Sequence, residues 1–138
     1  MPRFLRLCCL LISLAAPAAC SSASEPTTVF APGEPLSVRS QAALVDATIT
    51  LQEPSLERGV HNFMVELRAA KQGPEPTLLS AEATMAAHGH RASASVLPSG
   101  ARYRVQDLDL FMSGRWLVSL GVTLEDRSDI VEFAFDVP

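Results

Sequence analysis

The sequence has few cysteines and few basic residues, and each shortage excludes a class of protein. The chain of 138 residues has three cysteines, two of them at positions 8 and 9, inside an N-terminal stretch that resembles an export signal. Once that stretch is removed, at most one cysteine remains, so no internal disulfide can form and the fold must be stabilised by packing. The 11 basic and 15 acidic residues are dispersed and give a net charge of −4. This distribution argues against partners such as nucleic acids or anionic lipid headgroups.

Catalytic motifs are also missing from the sequence. It has no nucleophile elbow, no phosphate-binding loop and no zinc-hydrolase helix motif. Asp107 and Asp109 form a carboxylate pair only because acidic residues alternate along a strand face that points to water. A nucleophile, a base and a group that orients the base are not found together. The sequence therefore predicts a protein that is not an enzyme.

The first residues have the pattern of a secretory signal peptide, which we predict over residues 1–19. Arg3 and Arg6 precede a short apolar run and a stretch of small residues. Cys20 then stands where a bacterial lipoprotein is cleaved and lipidated, and two serines follow it. Ordinary cleavage without lipidation remains the alternative, because lipoprotein signals usually carry an aliphatic residue at the position of Pro17. We expect an exported protein, periplasmic or held at the membrane by a lipid anchor alone.

Residues 20–42 are rich in Ser, Thr, Pro, Ala and Glu, which predicts a flexible linker. Residues 43–138 then form one small domain. Apolar and polar residues alternate there with a period of two, as in antiparallel strands that bury one face. About seven such strands, separated by turn residues, predict an all-β fold, an immunoglobulin-like antiparallel β-sandwich. One predicted inward face consists of Leu79, Ala81, Ala83 and Met85.

The alternation shifts by one residue between Tyr103 and Met112. Val105 is apolar at an odd position, whereas Leu108, Leu110 and Met112 are apolar at even positions. An extra residue in one strand would reconcile the two halves, so we predict a β-bulge near residues 106–107.

Two histidines and two methionines are concentrated where predicted strands end. Met85 ends an apolar strand face, His88 and His90 follow in the turn, and Met112 precedes the Ser-Gly turn of the next pair of strands. If the two turns lie at the same end of the domain, two thioethers and two imidazoles can converge. Thioethers favour Cu(I), and imidazoles accept either oxidation state of copper. The four residues are therefore candidate copper ligands.

Each of these residues also has an ordinary structural explanation. A methionine on an inward face is usually core filler, and a histidine in a surface turn is often just solvated. His61 begins an inward strand face and is expected to be a hydrogen-bonded histidine at the strand edge. Trp116 is expected to anchor the core. The alternative to copper binding is therefore a structural or protein-interaction domain without a metal.

These residues lie in motifs that resemble the YtkA-like (FixH-like) domain family over about residues 44–137. The motifs are Gly59-x-His61-Asn62-Phe63, Ala81-x-Ala83-x-Met85-x-x-His88-x-His90, Gly100-x-x-Tyr103 and Phe111-Met112-x-Gly114-x-Trp116. The resemblance implies an exported immunoglobulin-like β-sandwich with no known enzymatic activity, often in settings linked to copper handling or respiratory-oxidase assembly. An unidentified protein partner is expected for such a domain.

The resemblance also assigns candidate ligands. Met85, His88 and Met112 occupy the Met/His positions of the family, and His90 is an additional candidate. The sequence departs from the family in having Met85-Ala86-Ala87 where relatives often carry Met-Pro before a further methionine. The predicted site is therefore poorer in thioethers. FixH-type relatives have a transmembrane anchor that this sequence does not show, so an oxidase-assembly role in the membrane plane is not expected.

Overall fold

The computed structural model describes residues 28–138, and the predicted signal peptide and Cys20 lie outside this range. The described part is all-β and contains no helix. Accordingly, no membrane-spanning helix is found among these residues. The strands are β1 (Leu36–Arg39), β2 (Val45–Leu51), β3 (Gly59–Ala69), β4 (Thr77–Met85), β5 (His90–Ser99), β6 (Arg102–Leu110), β7 (Gly114–Leu124) and β8 (Arg127–Val137).

The strands form one antiparallel sheet in the order β1-β2-β3-β6-β5-β4-β7-β8. Strand β5 changes partner along its length. Its first half, His90 to Ala94, pairs with β4, and its second half, Ser95 to Ser99, pairs with β6. This change curls the sheet until its two outer strands approach each other, where the Gln41 N–H donates to the Ile130 carbonyl at 2.8 Å. The predicted all-β antiparallel class is confirmed, with eight strands instead of about seven.

The additional strand, β1, lies in the segment predicted to be a flexible linker. Its register pairs Leu36 with Ile49 and Val38 with Ala47. Upstream of it, Phe30 is 3% exposed and its ring packs edge-on against Phe135, with centroids 5.1 Å apart. The sheet therefore begins before residue 43, because a few apolar residues in an otherwise polar stretch reach the core.

The predicted bulge in β6 is present. His61 pairs with Leu108 and Phe63 with Val105, so Asn62 alone faces two residues of β6. Asp107, the second of these two, has a φ of 63°, and its N–H donates to Asn62 Oδ1 at 3.2 Å. The extra residue keeps apolar side chains inward on both sides of the shift.

The predicted inward face of β4 is wrong at Leu79, which is 59% exposed, whereas Leu78 is buried. The register of β4 with β7 shifts between Leu78 and Ser80. Because of this irregularity, Leu78 takes the inward position that strict alternation predicts for Leu79. Ala81, Ala83 and Met85 point into the core as expected.

The curled sheet has two ends, the histidine pole and the opposite pole. The histidine pole comprises the β2–β3 loop (52–58), the β4–β5 turn (86–89), the β6–β7 turn (111–113) and the end of β8. The opposite pole comprises the turns 40–44, 70–76, 100–101 and 125–126. All three histidines of the chain lie at the histidine pole.

Candidate metal site

The β4–β5 turn carries the two histidines predicted as ligands. Met85, the last residue of β4, pairs directly with His90, the first residue of β5. The His88 N–H donates to the Met85 carbonyl at 3.2 Å, and Gly89 has a φ of 66°. Glycine adopts this left-handed conformation without steric cost, so the chain can reverse tightly between the two histidines.

The two imidazoles are neighbours at the surface. The rings of His88 and His90 are stacked, with centroids 6.0 Å apart and an interplanar angle of 28°. His88 is exposed and His90 is half-buried. The His90 ring also meets the edge of Phe111, at a centroid distance of 5.2 Å. Phe111, named above only as part of a family motif, is an exposed aromatic residue that links the two turns.

The β6–β7 turn lies beside these rings and is held in place by the single tryptophan of the chain. The ring of Phe111 packs against that of Trp116 at 5.3 Å. The buried Trp116 Nε1–H donates to the Met112 carbonyl at 2.9 Å. The backbone of Met112 is thus fixed, and its side chain is half-buried against the core. The condition for convergence is met, since both turns lie at one pole.

Met85 connects the two turns from within the core. It is 2% exposed. A Cβ added to Gly114 would lie 3.3 Å from the terminal methyl carbon of Met85. Gly114 has a φ of 124°, a conformation that disfavours other residues. Met85 therefore packs as a core residue directly beneath the turn that carries Met112.

The donor set at this pole determines which metals it could hold. Within residues 28–138, no three His, Cys, Asp or Glu side chains are grouped as a metal site. The pole offers two imidazoles, with thioethers nearby. Zinc in proteins is usually bound by three or four thiolate, imidazole or carboxylate ligands, whereas copper accepts imidazole and thioether. The residues present fit copper better than zinc.

The third histidine, His61, has a structural role at the same pole. It is 4% exposed, and its Nε2–H donates to the Glu57 carbonyl at 2.6 Å. Its Nδ1 lies 4.0 Å from Glu53 Oε2 and has no hydrogen-bond partner among the described residues. The predicted hydrogen-bonded histidine is confirmed. No local sequence signal indicates that Glu53 folds back onto this strand, where it accepts hydrogen bonds from Asn62.

A comparison of the chain with protein-family models, curated proteins and solved structures finds no match in any of the three.

Proposed function

We propose that this protein is a non-catalytic, extracytoplasmic domain that binds copper at the histidine pole. We further propose that its sheet is an immunoglobulin-like sandwich of the YtkA-like kind. The main support for copper binding is the pair of neighbouring imidazoles on one tight turn, His88 and His90. Because both rings are accessible from solvent at least in part, they can turn toward a shared ion without unfolding the core.

The ligands have different roles in this proposal. His88 and His90 bind the ion first, since imidazole accepts both Cu(I) and Cu(II). Met112 supplies a thioether from the second turn, which favours Cu(I). Met85 supports the turns from below, because its side chain is already packed in the core. Copper binding is therefore expected to be modest in affinity and to depend mainly on the imidazoles.

The second candidate function is a structural or protein-interaction domain without a metal. The burial of Met85 favours it, because a core methionine is not free to bind an ion. In both cases a lipid on Cys20 would hold the protein at the membrane. Replacing Cys20 by serine should release a lipidated protein from the membrane fraction and leave a secreted one unchanged.

Copper titration of the purified mature protein separates the two candidates. Cu(II) is followed by the fluorescence of Trp116, which is two ring contacts away from His90. Cu(I) is followed by competition with a chromogenic chelator. We expect a dissociation constant of about 10 μM or tighter, that is, about −7 kcal/mol or better. Weaker binding of both ions would reject the copper proposal.

Variants then identify the ligands. His88→Ala with His90→Ala should weaken binding at least about tenfold, which is about 1.4 kcal/mol. Met85→Leu keeps the volume of the core and should leave binding nearly unchanged. The buried His61 is an internal control, because its NMR signals should keep their positions when Cu(I) binds. Loss of binding in Met85→Leu alone would make the thioether a ligand and contradict the assigned roles.

A further inference from the structure

A groove of about 710 Å³ lies at the opposite pole, between the β3–β4 loop and the β5–β6 turn. Its lining includes Pro76, Pro98 and the half-buried ring of Tyr103. The Tyr103 hydroxyl donates to the Pro76 carbonyl at 3.4 Å and so connects the two walls. Proline and tyrosine give the groove rigid apolar surfaces, which cost little conformational entropy on binding.

Basic side chains line the same groove. Arg68, Lys71 and Arg102 face two acidic residues, Glu66 and Glu75, so the lining carries a net positive charge within a chain of net charge −4. Along the sequence the basic residues are dispersed. Folding brings three of them together, because β3 and β6 are adjacent and the β3–β4 loop follows β3 directly.

The basic side chains of the groove can still bind a further anion. Glu66 is shared by two guanidinium groups, with Arg68 at 2.6 Å and Arg102 at 3.4 Å. The side chains of both arginines are mostly exposed, 79% and 59%. Lys71 has no ion-pair partner among the described residues. Each guanidinium has five N–H donors, so one carboxylate between two arginines leaves donors free.

Arg104 extends the positive surface along β6. In the register it lies between Met64 of β3 and Leu97 of β5, on the outer face of the sheet. Leu97 is 47% exposed. An occupant that leaves the groove along this face would therefore meet a further guanidinium beside apolar side chains.

We propose that this groove binds an extended acidic segment of a partner protein. Carboxylates of the segment pair with Arg68, Lys71 and Arg102, and its apolar atoms pack on Tyr103 and the prolines. The concave shape favours a peptide over an anionic bilayer, because a flat membrane surface cannot reach Tyr103 between two loops. A positive groove on a negative protein also directs acidic partners toward the groove.

The probe for this proposal is a fluorescein-labelled octaglutamate peptide, added to the mature protein and followed by fluorescence anisotropy. An octalysine peptide is the control for charge. We expect the acidic peptide to bind and the basic peptide not to bind. Affinity should fall several-fold as salt rises, because the contacts are exposed charge pairs. No binding of octaglutamate at about 1 mM, the weak end of measurable affinity, would overturn the proposal.

Charge reversal locates the site. Lys71→Glu should weaken octaglutamate binding at least about fivefold, about 1 kcal/mol, because an attraction becomes a repulsion. Lys71 lies in a loop and has no ion pair to lose, so an unchanged unfolding midpoint is expected. The matched control is Arg91→Glu, an exposed arginine on β5 outside the groove, which should change affinity less than about twofold.

Two further results would overturn the assignment. Equal effects of Lys71→Glu and Arg91→Glu would mean that the peptide responds only to overall charge. Flotation with phosphatidylserine vesicles that depends on Lys71, without binding of octaglutamate, would assign the positive surface to a membrane instead. The groove is remote from the histidine pole, so a copper-free protein should bind the peptide as well as a copper-loaded one does.

Discussion

The turn of residues 40–44 and the turn of residues 86–89 lie at opposite poles and are held in different ways. In the first, the Asp129 carboxylate accepts the N–H groups of Ala42 at 2.9 Å and Leu44 at 3.3 Å. The Ser40 hydroxyl accepts the N–H of Val45 at 2.9 Å. In the second turn, one backbone hydrogen bond closes the loop, and the side chains of His88 and His90 make no hydrogen bond within residues 28–138.

This difference separates two uses of polar side chains. Around Asp129, which is 7% exposed, polar atoms satisfy backbone donors that the fold has taken out of water. At the histidine turn His88 is exposed, His90 is half-buried, and neither imidazole accepts a hydrogen bond from a described backbone N–H. Changes at the first turn should therefore alter stability, and changes at the second should alter binding.

The largest expected effect is that of Asp129→Ala. It leaves the N–H groups of Ala42 and Ile130 without this acceptor, while the N–H of Leu44 keeps only the Ser40 hydroxyl. We expect the free energy of unfolding to fall by about 2–4 kcal/mol, as for two part-buried donors that lose a charged acceptor. Urea denaturation followed by Trp116 fluorescence measures it. Asp126→Ala, in the exposed β7–β8 turn, is the control, and an equal loss there would contradict this role for Asp129.

Acid should weaken the same turn. Burial of the Asp129 carboxyl opposes its ionisation, but hydrogen bonds from Ser40 and from the N–H groups of Ala42, Ile130 and Leu44 outweigh this and lower its pKa. The stability it contributes is complete above the ordinary carboxyl pKa of about 3.9 and is lost as pH falls through the lower folded value.

The measurement is the unfolding free energy of wild type and of Asp129→Asn between about pH 5 and pH 2. The wild type should lose more stability across this range, because asparagine does not titrate. Asp46, Glu66 and Asp136 also have lowered pKa values, through arginine partners, but they are present in both proteins. Parallel curves for the two proteins would show that Asp129 is not responsible.

A smaller effect is expected for Gly114→Ala, which tests the contact between the two turns of the histidine pole. Alanine is strained at a φ of 124°, and its Cβ would lie 3.3 Å from the Met85 methyl carbon. We expect a loss of about 1–2 kcal/mol in unfolding free energy. Gly59→Ala is the matched control, with a φ of 132° and no atom within 4 Å of the added Cβ. A similar loss in both variants would assign the whole effect to backbone strain.

The sequence was sufficient for the parts of the fold that repeat a simple pattern. Period-two alternation predicted antiparallel strands that bury one face, and the shift in β6 predicted its bulge, because side chains on a strand point to alternate faces. Strand β1 was missed because a strand of four residues in a stretch rich in proline carries too little pattern. Leu79 was misplaced because a local register shift leaves no mark in composition.

The candidate site could be predicted only in part. The spacing of His88 and His90 placed them on one turn, but no local signal shows which other turn lies beside it. That depends on pairings between distant strands, such as β4 with β7, and on packing of Phe111 against His90. The basic groove was missed for the same reason, since its cations come from separate segments.

The smallest expected effect on stability is that of the double variant His88→Ala with His90→Ala. His88 is exposed, His90 is half-buried, and neither imidazole accepts a hydrogen bond from the described residues, so the unfolding free energy without copper should change by no more than about 0.5 kcal/mol. Added copper should distinguish the proteins. At about 100 times its dissociation constant, a ligand that binds only the folded state stabilises it by about 2.7 kcal/mol. The wild type should show this gain, and a variant that binds at least tenfold more weakly should gain no more than about 1.4 kcal/mol at the same copper concentration. A loss above about 1 kcal/mol without copper would instead mean that the stacked imidazoles hold the turn. In that case the side chains of both turns would stabilise the fold, and the proposed contrast between a stabilising turn and a ligand-binding turn would be wrong.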